Sequence, residues 1–243
     1  IQTHRPKLIY LVPTFGNPSG AMLSLERRKR VLELAVKYQT VVIEDDPYGD
    51  LYFEGALAPS LLSLTHLVPG SRDWLVYCGS LSKVLSPGLR VGWMVAPAAL
   101  LQRATMCKQF SDAHTSTFAQ ATAAQYLKSG RMPQTLDHVR GVYAERAKAM
   151  GEALRVHFGR DLSFSQPKGG LFFWAKLTGA QGGGIDGAVF AKQAIQKGVA
   201  FVPGAPFYAD HPDHSTLRLS FATSSTELIK EGIERLAAAY YHK

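Results

Sequence analysis

The sequence predicts an α/β chain: a mainly parallel sheet with flanking helices, followed by a smaller α+β unit. Three observations point there. In the first half, short apolar runs at 7–12, 41–44, 74–78 and 91–95 alternate with helical stretches, the order that builds parallel sheets. The run Val41-Val42-Ile43 is apolar throughout, as a strand covered on both faces should be. Past a long helix expected at about 134–157 the chain turns to Gly- and Pro-punctuated, aromatic segments, which with that helix mark a differently built unit. The boundary is therefore expected at 133/134, giving units 1–133 and 134–243.

Each element has its own signal. Ser24 is an expected N-cap, with Glu26 in the first turn of the helix that follows. Val31, Leu34, Ala35 and Tyr38 would be its buried stripe, and Arg27-Arg28-Lys29-Arg30 its solvated face. Residues 98–129 read as helical, with Leu100, Leu101 and Ala104 on one side. A second long helix, about 134–157, carries Leu136, Val139, Val142, Tyr143, Ala147 and Leu154. Gln166 to Trp174 is a turn entering an aromatic strand. Thr178 to Gly187, with Gly182-Gly183-Gly184, reads as a flexible loop. A helix at 189–197, a short strand at 199–202 and a strand at 216–221 follow. Ser225 or Thr226 caps the last helix, whose expected stripe is Leu228, Ile229, Ile233 and Leu236.

Composition narrows the function classes. The chain has 243 residues, 46% hydrophobic and 19% charged, as in soluble globular proteins. No apolar run approaches the ~20 residues that span a bilayer, and residues 1–6 lack the apolar core of a signal peptide. Two cysteines, Cys78 and Cys107, suggest reduced thiols in a cytoplasm. The net charge of +8 is dispersed along the chain. It reads as a field attracting small anions, not as a nucleic-acid surface. Asp210-His211-Pro212-Asp213-His214 offers four potential metal ligands, but the central proline and irregular spacing favour an exposed turn.

The chemistry concentrates in four places. In Ser80-Leu81-Ser82-Lys83, with Arg90 seven residues on, a nucleophilic amine stands beside hydroxyls and a guanidinium. Those groups suit a phosphate dianion, and the lysine can attack an aldehyde. In Glu44-Asp45-Asp46-Pro47-Tyr48, carboxylates end a strand, where open α/β sheets hold ligands. Asn17-Pro18 lies in a turn-rich loop after the first strand. Arg218 interrupts an alternating strand. Taken singly, these read as a surface lysine, a solvated strand end, a turn, and one outward polar residue.

Their order, Asn17-Pro18-x-Gly20, Asp45-x-x-Tyr48, Ser80-x-Ser82-Lys83 with Gly88-Leu89-Arg90, then Arg218, resembles the class I/II, fold-type I aminotransferases. Within them it is most similar to the branch with 2-aminoadipate and kynurenine aminotransferases. The resemblance implies pyridoxal 5'-phosphate as cofactor, an α-amino acid and a 2-oxo acid as substrates, and a homodimer. It implies that Lys83 forms the Schiff base and shuttles the Cα proton. Asp45 would pair with the pyridine nitrogen. Tyr48 and Asn17 would bind the phenolic oxygen, and Ser80, Ser82 and Arg90 the phosphate. Arg218, with Asn17 beside it, would take the substrate carboxylate.

Two other readings stay open. One is the ligand-sensing, aminotransferase-like domain of a transcription regulator; Tyr48 lies three residues after Asp45, the enzyme spacing. The other is a β-lyase or decarboxylase on the same fold. The resemblance further implies that an N-terminal arm, several strands, a first phosphate-binding turn and a ring-stacking aromatic precede Asn17, and residues 1–16 cannot supply them. The 243 residues are therefore expected to be the C-terminal part of a subunit, binding cofactor weakly on their own.

Overall fold

The computed structural model describes residues 1–179 and 186–241. The expected loop around Gly182-Gly183-Gly184 lies outside them. The chain divides into two compact units, one of Ile1–Gly16 with Ala21–Val139, the other of Asn17–Gly20 with the chain from Arg140 onward. Among the described residues no helix is long and apolar enough to cross a membrane.

The first unit is built on a four-stranded sheet in the order β1-β2-β3-β4. β1 (Leu8–Leu11), β2 (Val41–Asp46) and β3 (Leu75–Ser80) are parallel, whereas β4 (Gly92–Val95) runs antiparallel to β3. The reversal has a simple cause. Only residues 81–91 join β3 to β4, and a parallel crossover needs a dozen or more, usually with a helix. At the β3–β4 pair Gly79 faces Trp93. A Cβ on Gly79 would sit 2.2 Å from the indole ring, so no larger residue fits there.

α1 (Leu25–Tyr38) covers one face of this sheet. Its N-cap is Ser24, whose Oγ accepts the Arg27 N–H, with Glu26 in the first turn. The buried stripe differs from expectation. It is Arg28, Leu32 and Ala35, spaced i, i+4, i+7, with Leu34 and Tyr38 half-buried at its edge. Leu32 and Ala35 pack with Val42, Leu75 and the Leu61 and Leu64 side chains of α2 (Leu61–Leu64).

Arg28 corrects the reading of the basic run as a solvated face, for it is 1% exposed. Its Nε donates to the Leu23 carbonyl, Nη1 to that of Pro59, and Nη2 to the Pro13 carbonyl and Thr14 Oγ1. Burial lowers its pKa, and the negative charges of Glu44 and Asp46 oppose that. One planar fork thus ties two connecting segments, 12–24 and the one ending at Pro59–Ser60, to α1, a geometry an ammonium cannot copy. Arg28→Lys should therefore destabilise the protein nearly as much as Arg28→Ala. Leaving a buried network unpaired costs roughly 3–5 kcal/mol, which a lowered denaturation midpoint at unchanged slope would register.

The helical stretch expected over 98–129 is two helices, α3 (Ala98–Ser111) and α4 (Thr117–Lys128). Ala113 adopts a left-handed φ of 60°, and Ser116 recaps the chain by accepting the Ala119 N–H. No residue of α3 is buried; Leu100 and Leu101 are exposed, so the apolar side expected there has no cover in this unit.

The second unit carries an antiparallel sheet in the order β5-β6-β8-β7. Its strands are β5 (Leu162–Phe164), β6 (Phe172–Leu177), β7 (Val202–Pro203) and β8 (Thr216–Ser220). β5 has no counterpart in the sequence reading, and the strand expected at 199–202 is only β7. The helices are α5 (Met132–Phe158), α6 (Gly187–Gln196) and α7 (Thr226–Tyr240). The boundary between the units falls inside α5. Asp186 caps α6 through the Ala188 and Val189 N–H groups, and Ser225 caps α7. The α7 stripe is Ile229, Ile233, Leu236 and Tyr240; Leu228, expected in it, is exposed. Phe173 sits at the centre of the core, edge-on to Phe164 and Phe221. In the 210–214 segment Asp213 is committed to Lys176 and Ser215, chiefly the Lys176 hydrogen bond holding its carboxyl down to about 2. His214 Nδ1 lies 3.0 Å from Asp186 Oδ2.

Candidate active site

In the first unit the candidate residues gather at the C-terminal ends of β2 and β3. Strand alternation sorts the three carboxylates of β2. Glu44 is fully buried and accepts the Leu61 and Leu62 N–H groups. Burial raises its pKa against those two hydrogen bonds. Asp46 accepts the Gly49 N–H at 3.0 Å, and the Tyr77 hydroxyl lies 3.4 Å away. Both are spent on structure. Asp45 points to the other face, where Tyr10 Oη donates to its Oδ2. Beside it in register is Cys78 of β3, whose thiol pKa is raised by burial and then by the Asp45 charge. Tyr48 follows in the turn after β2 and is buried.

β3 ends at Ser80, and the chain closes a loop back to β4. The Leu81 N–H donates to the Val91 carbonyl, and Ser80 pairs with Gly92. Ser80 Oγ accepts the Ser82 N–H at 3.1 Å. Leu85 and Ser86 N–H both return to the Leu81 carbonyl. Leu81 and Val84 are buried anchors of this turn, which leaves Lys83 on its exposed side. Arg90 ends the following short turn at a φ of 55°. A left-handed arginine is uncommon and worth about 1–2 kcal/mol of strain. Lys83 and Arg90 thus share one closed loop at the strand end.

Asn17 and Arg218 belong to the second unit. Arg218 lies on β8, flanked by Trp174 of β6 and Val202 of β7. Its Nη1 donates to Asn17 Oδ1 at 2.6 Å, although 201 positions separate the two. The guanidinium carbon stands 4.4 Å from the Phe172 ring centre and 5.2 Å from that of Phe207. The Nε–H is buried with no partner among the described residues. A guanidinium held between two rings with a donor uncommitted is prepared for an anion.

Sequence reasoning missed the residues that touch these groups. Tyr10 was visible only as a strand residue, and Phe172 and Phe207 only as apolar ones. Alternation along β1 could have flagged Tyr10 as sharing a face with the end of β2, had the register been known.

The sequence model of the aminotransferase class I and II family matches residues 2–236. The chain belongs to that family. Among its relatives is the 2-aminoadipate transaminase of Thermus thermophilus, 41% identical over 239 residues, which are 98% of this chain and 58% of that protein. The crystal structure of LysN, an α-aminoadipate aminotransferase from Thermus thermophilus complexed with N-(5'-phosphopyridoxyl)-L-leucine, superposes with a TM-score of 0.92 at 40% identity. The match covers 99% of this chain and 60% of that one. The HTH-type transcriptional regulator YisV of Bacillus subtilis (strain 168) is 32% identical over 231 residues, 95% of this chain and 46% of that protein. The chain thus spans under two thirds of the length of the relatives it matches. Its mixed α/β sheet with flanking helices is that of the fold-type I aminotransferase structures.

Proposed function

We propose that this chain serves an aminotransferase that moves an amino group between an α-amino acid and a 2-oxo acid, with pyridoxal 5'-phosphate as cofactor. What carries the reading is the Asp45 carboxylate facing away from Glu44 and Asp46, on the strand next to the one that leads into the Ser80–Arg90 loop. The donor set fits the group: a carboxylate for a cationic ring nitrogen, an amine for an aldehyde, and hydroxyls with a guanidinium for a phosphate dianion. Bound there, the cofactor supplies an electron sink for the substrate's Cα.

The chain's own residues then divide the work. Asp45 holds the ring nitrogen protonated. Tyr48 and Asn17 donate to the phenolic oxygen. Ser80, Ser82 and Arg90 bind the phosphate. Lys83 Nζ anchors the cofactor and takes and returns the proton on the substrate's Cα, a role that needs a neutral amine. Arg218 clamps the substrate's carboxylate, with Asn17 beside it. In this reading residues 1–133 belong to a cofactor-binding large domain and 134–243 to a small domain, in a cytoplasmic homodimer.

Likeness to YisV favours one second reading, a ligand-sensing domain. A single half-reaction assay separates the two. Mixed with an amino acid, an aminotransferase yields the oxo acid and pyridoxamine phosphate, then turns over steadily with a 2-oxo acid; a sensor stops after binding. In the same assay Arg218→Ala should raise the amino-acid concentration needed by about 30-fold or more. That is the low end for breaking a desolvated charge pair, and cofactor content should stay unchanged. Unaltered substrate affinity would remove Arg218 from the site.

A further inference from the structure

We infer that Tyr10 is the positioning residue for Asp45: its phenol fixes one carboxylate oxygen so that the other is aimed at the cofactor's ring nitrogen. The inference rests on the cofactor reading above and adds a residue to it.

The geometry begins with register. Tyr10 of β1 pairs with Ile43 of β2, so Asp45 lies two residues further along the neighbouring strand and on the same face. Two residues of strand are about 6.6 Å, the reach of a tyrosine side chain lying along the sheet. Tyr10 uses that reach to place its hydroxyl on Asp45 Oδ2. Oδ1 receives no hydrogen bond among the described residues. Glu44 and Asp46 point to the opposite face and are held by backbone N–H groups of Leu61, Leu62 and Gly49. Among the three carboxylates, Asp45 therefore keeps one oxygen restrained and the other uncommitted.

The contact also acts on charge. A phenol donating to a carboxylate stabilises its ionised form. The same contact, after burial, pushes the Tyr10 pKa up to about 12, so Tyr10 stays a donor across the working pH range. A carboxylate with one oxygen held in place can present the other to the ring nitrogen, and a protonated ring is what the chemistry needs. The Tyr10 ring is itself largely exposed, so the contact with Asp45, more than core packing, accounts for its orientation.

The test uses the complete subunit, loaded with pyridoxal phosphate labelled with 15N in the ring. Tyr10→Phe should retain stoichiometric cofactor and an unchanged denaturation midpoint. Its ring-nitrogen resonance should move toward the unprotonated value. The half-reaction rate should fall roughly tenfold to a hundredfold, the scale of one hydrogen bond to a charged group. 3-Fluorotyrosine at position 10, a stronger donor of nearly the same shape, should move the resonance the other way, and it keeps the test open if Tyr10→Phe fails to fold. Adding Tyr10→Phe to Asp45→Asn should change neither resonance nor rate further, because the residue acts through Asp45. Additive losses would mean that Tyr10 touches cofactor or substrate itself and would overturn the inference. So would an unchanged resonance in both Tyr10 replacements while Asp45→Asn abolishes ring protonation. If Asp45→Asn leaves ring protonation intact, it is the assignment of Asp45 that fails.

Discussion

Lys83→Ala should abolish covalent retention of cofactor and reduce amino-group transfer by about 10⁴-fold or more. The size follows from two losses in one side chain. General acid–base transfer alone contributes about 10²–10⁴-fold, and in the proposed function the lysine is also the nucleophile that holds the aldehyde. The turn around Lys83 is anchored by buried Leu81 and Val84, and the lysine itself is exposed, so the fold should survive the change. Borohydride reduction of loaded protein followed by peptide mapping reads the result directly. Labelled cofactor on the Lys83 peptide, lost in Lys83→Ala, is the expected pattern. Label on another lysine in the variant would show that the amine has been misassigned.

Asp45→Asn should lower turnover by about 10³-fold or more while cofactor stays bound, a scale set by removing a preorganised charge from a reacting centre. The Asn amide keeps the shape and can still accept from Tyr10, but it cannot hold a proton on the ring nitrogen. Asp46→Asn should act differently. Asp46 accepts the Gly49 N–H, and a Cβ on Gly49 would lie 2.6 Å from its Oδ1. Its loss should loosen the turn and lower stability with a smaller effect on the rate of transfer. Measuring midpoint and half-reaction rate on both variants distinguishes the two carboxylates. A larger rate loss in Asp46→Asn, or a structure with Asp46 on the ring nitrogen, would exchange their roles.

Much of the candidate site was legible because its chemistry is local in sequence. Ser80-Leu81-Ser82-Lys83 and Asp45-x-x-Tyr48 state their donor types and spacing outright. The strands at 41–44 and 74–78 and the Ser24 cap were legible for the same reason, since apolar runs and capping hydroxyls act over a few residues. Composition misled where charge was taken as exposure. Arg28 stands among three other basic residues yet is the buried one, because four acceptors, three of them 14 or more positions away, converge on it. Leu100 and Leu101 looked like a packing side, but burial depends on a neighbour, and this unit offers them none.

The sequence by itself determined the residue types, most of the strands and helices in their order, and the family these define. Periodicity, caps and motif spacing are properties of neighbours along the chain. Tertiary structure decided which of three adjacent carboxylates stays out of backbone hydrogen bonds, that Tyr10 donates to it, and that Asn17 meets Arg218 beside two aromatic rings. Those outcomes depend on strand register and on contacts between residues 35 and 201 positions apart. A one-residue slip in register would exchange the faces, and no local pattern in the chain states which register forms.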